Sequence, residues 1–198
     1  ALGLGIDRDQ INETFWLGTG TSGSVAPAET NKYNPGPEYR TLWAKLDVAK
    51  ANEMLDKLGL DKKDSEGYRL RTDGKGRLSL VMDTWGGQFI QFTRIGEMIS
   101  GQMKKIGIDM QVKELERSFG QKRNAANENQ IYAWQNDGSE HLYTFPGHVF
   151  PFDQTGGGGA VYATWFQSNG AQGKEPPGKI KEVMDKWKKA FGVPEAEQ

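Results

Sequence analysis

The pattern of apolar and polar positions predicts two β-strands with a helix between them. Apolar residues alternate with their neighbours from Leu78 to Met82 and again from Ile108 to Val112, which is the period of a strand. Between them, apolar residues recur every three or four positions from Phe92 to Ile106, which is the period of a helix. Strand, helix and strand with short connections predict two parallel strands joined by a right-handed crossover.

Four further helices and a short strand follow from the same periodicity and from capping residues. Asp7 followed by Gln10 predicts a helix start, and Asp47 precedes a helix that Gly59 ends. The apolar face of this second helix comprises Ala51, Met54, Leu55 and Leu58. The other predictions are a polar helix over 118–127, a short strand over 131–134 and an amphipathic helix with its apolar face at Ile180, Val183, Met184, Trp187 and Phe191.

The order of these elements predicts an α/β fold with a mixed, mainly parallel sheet flanked by helices. We expect one lobe over 1–198, because this length supports one substantial core. Proline and glycine predict a long loop over 19–40, and glycines among aromatic residues predict an irregular segment over 136–178. The chain opens at Ala1 without an initiator methionine, so we expect it to be part of a longer protein.

Composition and charge remove several classes of function. The 25 basic and 26 acidic residues give a net charge of -1, which offers no general attraction for nucleic acid. The absence of cysteine removes thiol nucleophiles and cysteine-based metal sites. No stretch approaches the roughly 20 apolar residues of a membrane helix. We therefore expect that the protein does not bind nucleic acid.

The motifs that resemble catalytic or cofactor sites lack their required context. The glycines of Gly18–Gly23 follow a predicted helix, whereas a dinucleotide fingerprint follows a strand. His141 and His148 lie in an irregular stretch without a defined third ligand, which is weak support for a metal. We expect no cofactor, no metal and no enzyme activity. A hydrolase that uses a carboxylate pair such as Asp137 and Glu140 is the alternative.

Four segments together resemble one protein family. They are ALGLGIDRDQIN at 1–12, DVAKANEMLDKLGL at 47–60, FTRIGEMISGQMKKIGIDMQVKELE at 92–116 and WQND at 134–137. In this order they resemble the carboxyl-terminal lobe of the bacterial extracellular solute-binding proteins of family 5, of the oligopeptide, dipeptide and nickel type. The resemblance implies a periplasmic-binding-protein type II-like lobe of a longer Venus-flytrap protein that closes around its ligand by hinge motion.

The resemblance also implies a ligand site at Trp134 and Asp137. In peptide-binding members, a tryptophan precedes by three residues an aspartate that pairs with the free α-amino group of the ligand. A carboxylate stabilises an ammonium through charge-assisted hydrogen bonds, and an indole face offers apolar or cation-π contact. The alternative is that Trp134 is a core residue and Asp137 a turn residue.

The chain departs from the peptide-binding pattern just before this pair. Residues 129–133 contain no arginine or lysine to hold a ligand carboxylate, which favours a neutral oligosaccharide as the alternative to an oligopeptide. Aromatic faces suit sugar rings, so the candidate stacking residues are Trp85, Tyr143, Tyr162 and Trp165. Core packing is the alternative for each of them, and for Trp85 above all, because it ends an alternating strand.

The family implies the partners and the location of the protein. Its members capture a small solute outside the cytoplasm and deliver it to the permease subunits of an ABC transporter. We therefore expect a periplasmic or extracellular monomer, with lipoprotein anchoring as a further possibility. The amphipathic helix that ends at Phe191 carries Lys186 and Lys189 on its polar side and is a candidate surface for docking on the transporter.

Overall fold

A computed structural model describes residues 1–154, 156 and 158–194. Their contacts divide the chain into two compact units. The first unit comprises residues 1–120 and 129–134, and the second comprises 121–128 and the described part of 135–198. The sequence predicts a single lobe over 1–198, and this division into units does not test that prediction.

The helices of the first unit begin where capping residues predict them. The Asp7 side chain accepts a hydrogen bond from the Gln10 N–H at 3.0 Å, and Asp47 accepts one from the Lys50 N–H at 2.8 Å. Leu58, predicted on the apolar face, is 69% exposed because the helix ends at residue 57. The helices are α1 (Arg8–Trp16), α2 (Pro37–Thr41), α3 (Val48–Lys57) and α4 (Phe92–Lys104), and a 3-10 turn spans Leu2–Gly5.

The first unit contains a three-stranded parallel sheet. The strands are β1 (Ser79–Trp85), β2 (Asp109–Leu115) and β3 (Ile131–Tyr132), in the order β2-β1-β3. The β1–β2 register runs from Ser79 opposite Asp109 to Trp85 opposite Leu115, and β3 pairs with β1 through Met82 and Asp83. With α4 between β1 and β2, the strand–helix–strand prediction is confirmed.

The alternation predicted for β1 holds only at its start. Ser79 is exposed, but every residue from Met82 to Trp85 is buried, including the polar Asp83 and Thr84. β1 is hydrogen-bonded on both edges, and α4 packs on the face that carries Met82 and Thr84, which explains the burial of Thr84. A Cβ on Gly96 of α4 would lie 3.1–3.2 Å from atoms of Val112, Met82 and Thr84, so the helix packs closely on the sheet.

A buried arginine joins α3 to the connection between α4 and β2. Arg69 has no exposed surface, and its Nε donates to the Ile106 carbonyl at 2.8 Å. Its Nη1 donates to Asp56 Oδ1 at 2.5 Å and to the Leu60 carbonyl. Its Nη2 donates to Asn52 Oδ1 at 2.6 Å and to the Asn52 carbonyl at 3.4 Å. Every guanidinium N–H therefore has an acceptor, as a buried cation requires.

The second unit is organised around aromatic side chains. Phe152 packs against Phe166 with ring centroids 4.8 Å apart and against Trp187 at 4.4 Å. Its helices are α6 (Ala160–Gln167) and α7 (Gly178–Phe191), and a 3-10 turn spans Pro146–His148. The polar helix α5 (Arg117–Ala125), close to its predicted bounds, runs from the first unit into the second.

Two irregular regions contain helices that the sequence analysis did not predict. Helix α6 lies within the irregular segment predicted over 136–178. It was not predicted because its apolar sequence lacks the polar face that marks an amphipathic helix. Helix α2 begins at Pro37, inside the loop predicted over 19–40, since proline suits a first helical position. Among the residues described, no helix is long and apolar enough to span a bilayer.

Candidate functional site

The sheet topology marks the carboxyl ends of β1 and β3 as the place where a ligand could bind. The chain passes from β1 to β2 on one side and then to β3 on the other side of β1. In open α/β sheets, such a reversal leaves a crevice beyond the carboxyl ends of the two adjacent strands. Trp85 ends β1, and Trp134 follows β3 by two residues.

Four aromatic residues meet at this edge, and we call them the edge cluster: Trp85, Phe92, Tyr132 and Trp134. The Trp134 ring lies 4.5 Å from that of Trp85 and 5.2 Å from that of Phe92, between centroids. Tyr132 stacks on Trp85 at 5.7 Å with an interplanar angle of 17°. Trp85 and Phe92 are buried, whereas Tyr132 and Trp134 are half-buried. Trp134 is thus held from below by packed rings and retains some accessible surface.

Two further contacts fix the edge cluster. The Arg117 guanidinium lies 5.0 Å from the centroid of the Trp134 ring, within the range of a cation-π interaction. A Cβ on Gly120 would lie 2.2 Å from Trp85 Nε1, so only glycine leaves room for the indole. Burial raises the pKa of Tyr132 above the ordinary value of a phenol.

An exposed phenylalanine next to this edge was missed by the sequence analysis. Phe89 lies in the connection between β1 and α4 and is 81% exposed. A large apolar side chain in water next to a candidate crevice is available for contact with a ligand. The available signal in the sequence is Gly86-Gly87, which indicates a loop shortly before this apolar residue.

Asp137 belongs to the second unit and is held in a turn. Its Oδ2 accepts from Gln135 Nε2 at 3.3 Å, and its N–H donates to His148 Nδ1 at 3.1 Å. Its carbonyl accepts from the His141 N–H at 3.0 Å. Because Trp134 is assigned to the first unit, a joint ligand site of Trp134 and Asp137 stays a prediction.

Comparison with known proteins establishes the family. The model of the bacterial extracellular solute-binding proteins, family 5 Middle, matches residues 1–152. The chain belongs to this family. No curated protein sequence matches it.

Solved structures of the family share the fold. The chain is similar to an oligopeptide-binding protein OppA with a TM-score of 0.81 and 26% identity, over 98% of this chain and 32% of that one. It is similar to MelB from Agrobacterium fabrum in complex with stachyose, with a TM-score of 0.71 and 15% identity, over 99% and 29%. For NikA from Brucella suis in complex with Fe(III)-EDTA the TM-score is 0.67 and the identity 19%, over 99% and 36%. The chain thus spans about a third of the length of these family members.

The match confirms the resemblance inferred from the four sequence segments and the predicted binding-protein lobe. The similarities to MelB and NikA, at 15% and 19% identity, show the fold alone. Members of this family are extracellular solute-binding proteins by description.

The remaining predicted stacking residues of this family 5 chain lie in the second unit and have different surroundings. Tyr143 stacks on Trp187, with ring centroids 6.0 Å apart. Tyr162 lines a cavity of about 470 Å³. The ring centroid of Trp165 lies 5.9 Å from Lys181 Nζ. No shared site of these three residues emerges from their contacts within the described part of the unit, and their role in binding stays a prediction.

The groups considered for catalysis or metal binding have structural partners. His148 Nδ1 accepts the Asp137 N–H, so this nitrogen carries a lone pair rather than a proton. Ser22, which lies in the Gly18–Gly23 segment that resembles a dinucleotide fingerprint, donates from its Oγ to Asp9 Oδ1 at 2.5 Å. Over residues 1–154, 156 and 158–194, no group of three or more histidine, aspartate or glutamate side chains is placed to hold a metal ion. Neither contact supplies the base and nucleophile pair of a hydrolase.

Proposed function

We propose that this chain forms part of the ligand-binding lobe of an ABC-importer substrate-binding protein. The protein captures a small solute and delivers it to a membrane permease without breaking a bond. The observation that carries the proposal is the edge cluster, which holds the face of Trp134 at the carboxyl end of β3 in a member of family 5. A preformed aromatic platform binds without the entropic cost of ordering it.

The first candidate ligand is an oligopeptide whose free amino group is bound by Asp137. A charge-assisted hydrogen bond of this kind is worth about 1.5 to 3 kcal/mol. In the full-length natural protein, Asp137→Asn should therefore weaken peptide binding by about 10- to 150-fold. Isothermal titration calorimetry with a peptide and with its N-acetylated form measures this. Equal loss for both forms, or no loss, would remove the role of Asp137.

The second candidate ligand is a neutral oligosaccharide. One observation favours it: residues 129–133 contain no basic residue that would hold a ligand carboxylate. For a sugar that stacks on Trp134, Trp134→Ala should weaken binding by about tenfold, because one aromatic stacking contact is worth up to about 1.5 kcal/mol. Asp137→Asn should then have a smaller effect. The matched control is Trp43→Ala, which removes an exposed tryptophan outside the edge cluster.

Transport without catalysis is the main distinction from a hydrolase. The full-length protein should return a bound peptide or oligosaccharide unchanged after prolonged incubation, as chromatography of the released ligand would show. Accumulation of cleavage products would favour the carboxylate-pair alternative with Asp137 and Glu140.

We further propose that α7 contributes to docking on the permease. Lys186 is 74% exposed and pairs with Glu182 across one helical turn at 2.7 Å. Replacing Lys186 and Lys189 with glutamate should reduce solute uptake and leave solute affinity unchanged. The control replaces Lys50 and Lys57 of α3, where Lys57 makes the same one-turn pair with Glu53. Equal uptake by both variants would exclude this surface.

We also propose that the protein is periplasmic or extracellular and carries a lipid anchor. Cell fractionation tests this localisation.

A further inference from the structure

The second unit contains an open, mostly apolar cavity of about 470 Å³. Its walls include Phe150, Pro151, Tyr162, Ile180 and Val183. The volume lies within the range of about 300–1,000 Å³ that is usual for small-molecule pockets. Ile180 and Val183 belong to the apolar face of α7, yet they remain 40% and 37% exposed. Ile180 and Val183 remain exposed because they line the cavity, where no described residue covers them.

One charged side chain lines this cavity, and among the described residues it forms no ion pair. Lys179 is the only lysine, arginine, aspartate or glutamate among the lining residues. Within the described ranges, Lys179 has neither an ion pair nor a hydrogen-bonded side-chain partner, whereas Lys181 of the same turn pairs with Asp185 at 2.8 Å. The first turn of α7 also lacks an acidic residue, so the partial positive charge at this helix end adds to the ammonium.

The amino-terminal end of α6 also borders the cavity. Helix α6 begins beside the cavity after Gly159, and no side chain caps its first N–H groups. The cavity therefore combines apolar walls with one ammonium group and the amino-terminal ends of two helices. Apolar walls and positive charge both disfavour a cation. A hydroxyl-rich sugar is disfavoured as well, because the walls contain few polar side chains to bind its hydroxyl groups.

We propose that this cavity is a second binding site, for a small molecule with an apolar body and one anionic group such as a carboxylate or sulfonate. The apolar body lies against Phe150, Ile180 and Val183, and the anion pairs with the Lys179 ammonium. This goes beyond the proposed solute site at the edge cluster, because every residue of the cavity belongs to the second unit.

A probe that meets this description is 8-anilinonaphthalene-1-sulfonate, whose fluorescence rises in apolar surroundings. Its uncharged analogue N-phenyl-1-naphthylamine has the same rings and lacks the sulfonate, and inorganic sulfate supplies the anion alone. Titration of the chain should show saturable binding of the sulfonate probe, weaker binding of the neutral analogue and none of sulfate. Amide chemical shifts should change at Gly158, Gly159 and Tyr162.

Matched variants decide whether Lys179 and the walls form the site. Lys179→Gln should weaken binding of the sulfonate probe about fivefold, the effect of losing one solvent-exposed ion pair, and leave the neutral analogue unchanged. Lys181→Gln removes the same charge one residue beyond the cavity lining and should have no effect. Val183→Asp should abolish binding of the probe, while Trp134→Ala should leave it unchanged. Equal effects of the two lysine variants, or probe shifts confined to other residues, would overturn the proposal.

Discussion

Replacing the buried Arg69 with methionine tests how the first unit is held together. Methionine preserves most of the apolar stem and removes the guanidinium. The carbonyls of Ile106 and Leu60 and the Asn52 amide oxygen then lose their donors. Each buried acceptor without a partner costs about 1–3 kcal/mol.

The expected total is smaller than the sum of these losses. Asp56 is 52% exposed, so water solvates its carboxylate once Arg69 is gone. Asn52 is half-buried, and its side chain can turn toward solvent. We therefore expect Arg69→Met to lower the free energy of unfolding by about 2–6 kcal/mol, the cost of leaving the Ile106 and Leu60 carbonyls without a donor. This is a large fraction of the roughly 5–15 kcal/mol that stabilises a typical domain.

Urea denaturation followed by circular dichroism measures this loss. The matched control is Arg71→Met, because Arg71 also pairs with an aspartate, Asp73, but its side chain is 45% exposed. The control should unfold at the same urea concentration as the unsubstituted chain. If Arg69→Met and Arg71→Met have the same midpoint, the five hydrogen bonds of Arg69 do not stabilise the fold and the argument is wrong.

Three further predictions concern packing and titration. Gly120→Ala should lower stability by about 1–3 kcal/mol by displacing Trp85, whereas Gly101→Ala, on a helix with no atom near its Cβ, should raise the thermal midpoint. Hydrogen bonds from neighbouring lysines lower the pKa of Glu53 from 4.5 to about 2, so its stabilising effect is present above pH 4.5 and is lost as the pH falls toward 2. A flatter pH dependence of thermal unfolding in Glu53→Gln measures it, and an unchanged profile contradicts it. Burial raises the pKa of Tyr132, so stability should fall as the pH rises above 10, and the ultraviolet titration of Tyr132→Phe should lack a tyrosine that ionises above the ordinary range of a phenol.

The parts of the fold that local spacing encodes could be predicted from the sequence. The Asp7 and Asp47 caps, the β1–α4–β2 unit and the apolar face of α7 each depend on residues a few positions apart. The short strand near residue 131 could also be predicted, but its place beside β1 rather than β2 could not.

The parts that depend on distant residues could not be predicted. Arg69 lies in a charged, turn-rich segment, and its burial depends on acceptors from α3 and from Ile106. Asp83 is buried because β1 is central, which the alternation alone does not reveal. Helix α6 has apolar residues around its whole circumference, so its periodicity gave no signal.

The candidate site shows the same division. The position of Trp134 at the carboxyl end of a strand followed from the sequence, and so did the core role considered for Trp85. The contacts of Trp134 with Phe92 and Arg117 did not, because they join residues far apart along the chain. Phe89 was missed because an exposed loop residue has no periodic pattern.

The most direct test of the solute-binding proposal is the response of the tryptophan indoles to a bound solute. In the full-length natural protein labelled with ¹⁵N-tryptophan, saturation with a peptide or oligosaccharide that it binds should shift the indole N–H resonance of Trp134, with a smaller shift for Trp85 beneath it. The exposed Trp43 should not respond. A bound solute that leaves the Trp134 resonance unchanged would contradict a site at the carboxyl ends of β1 and β3.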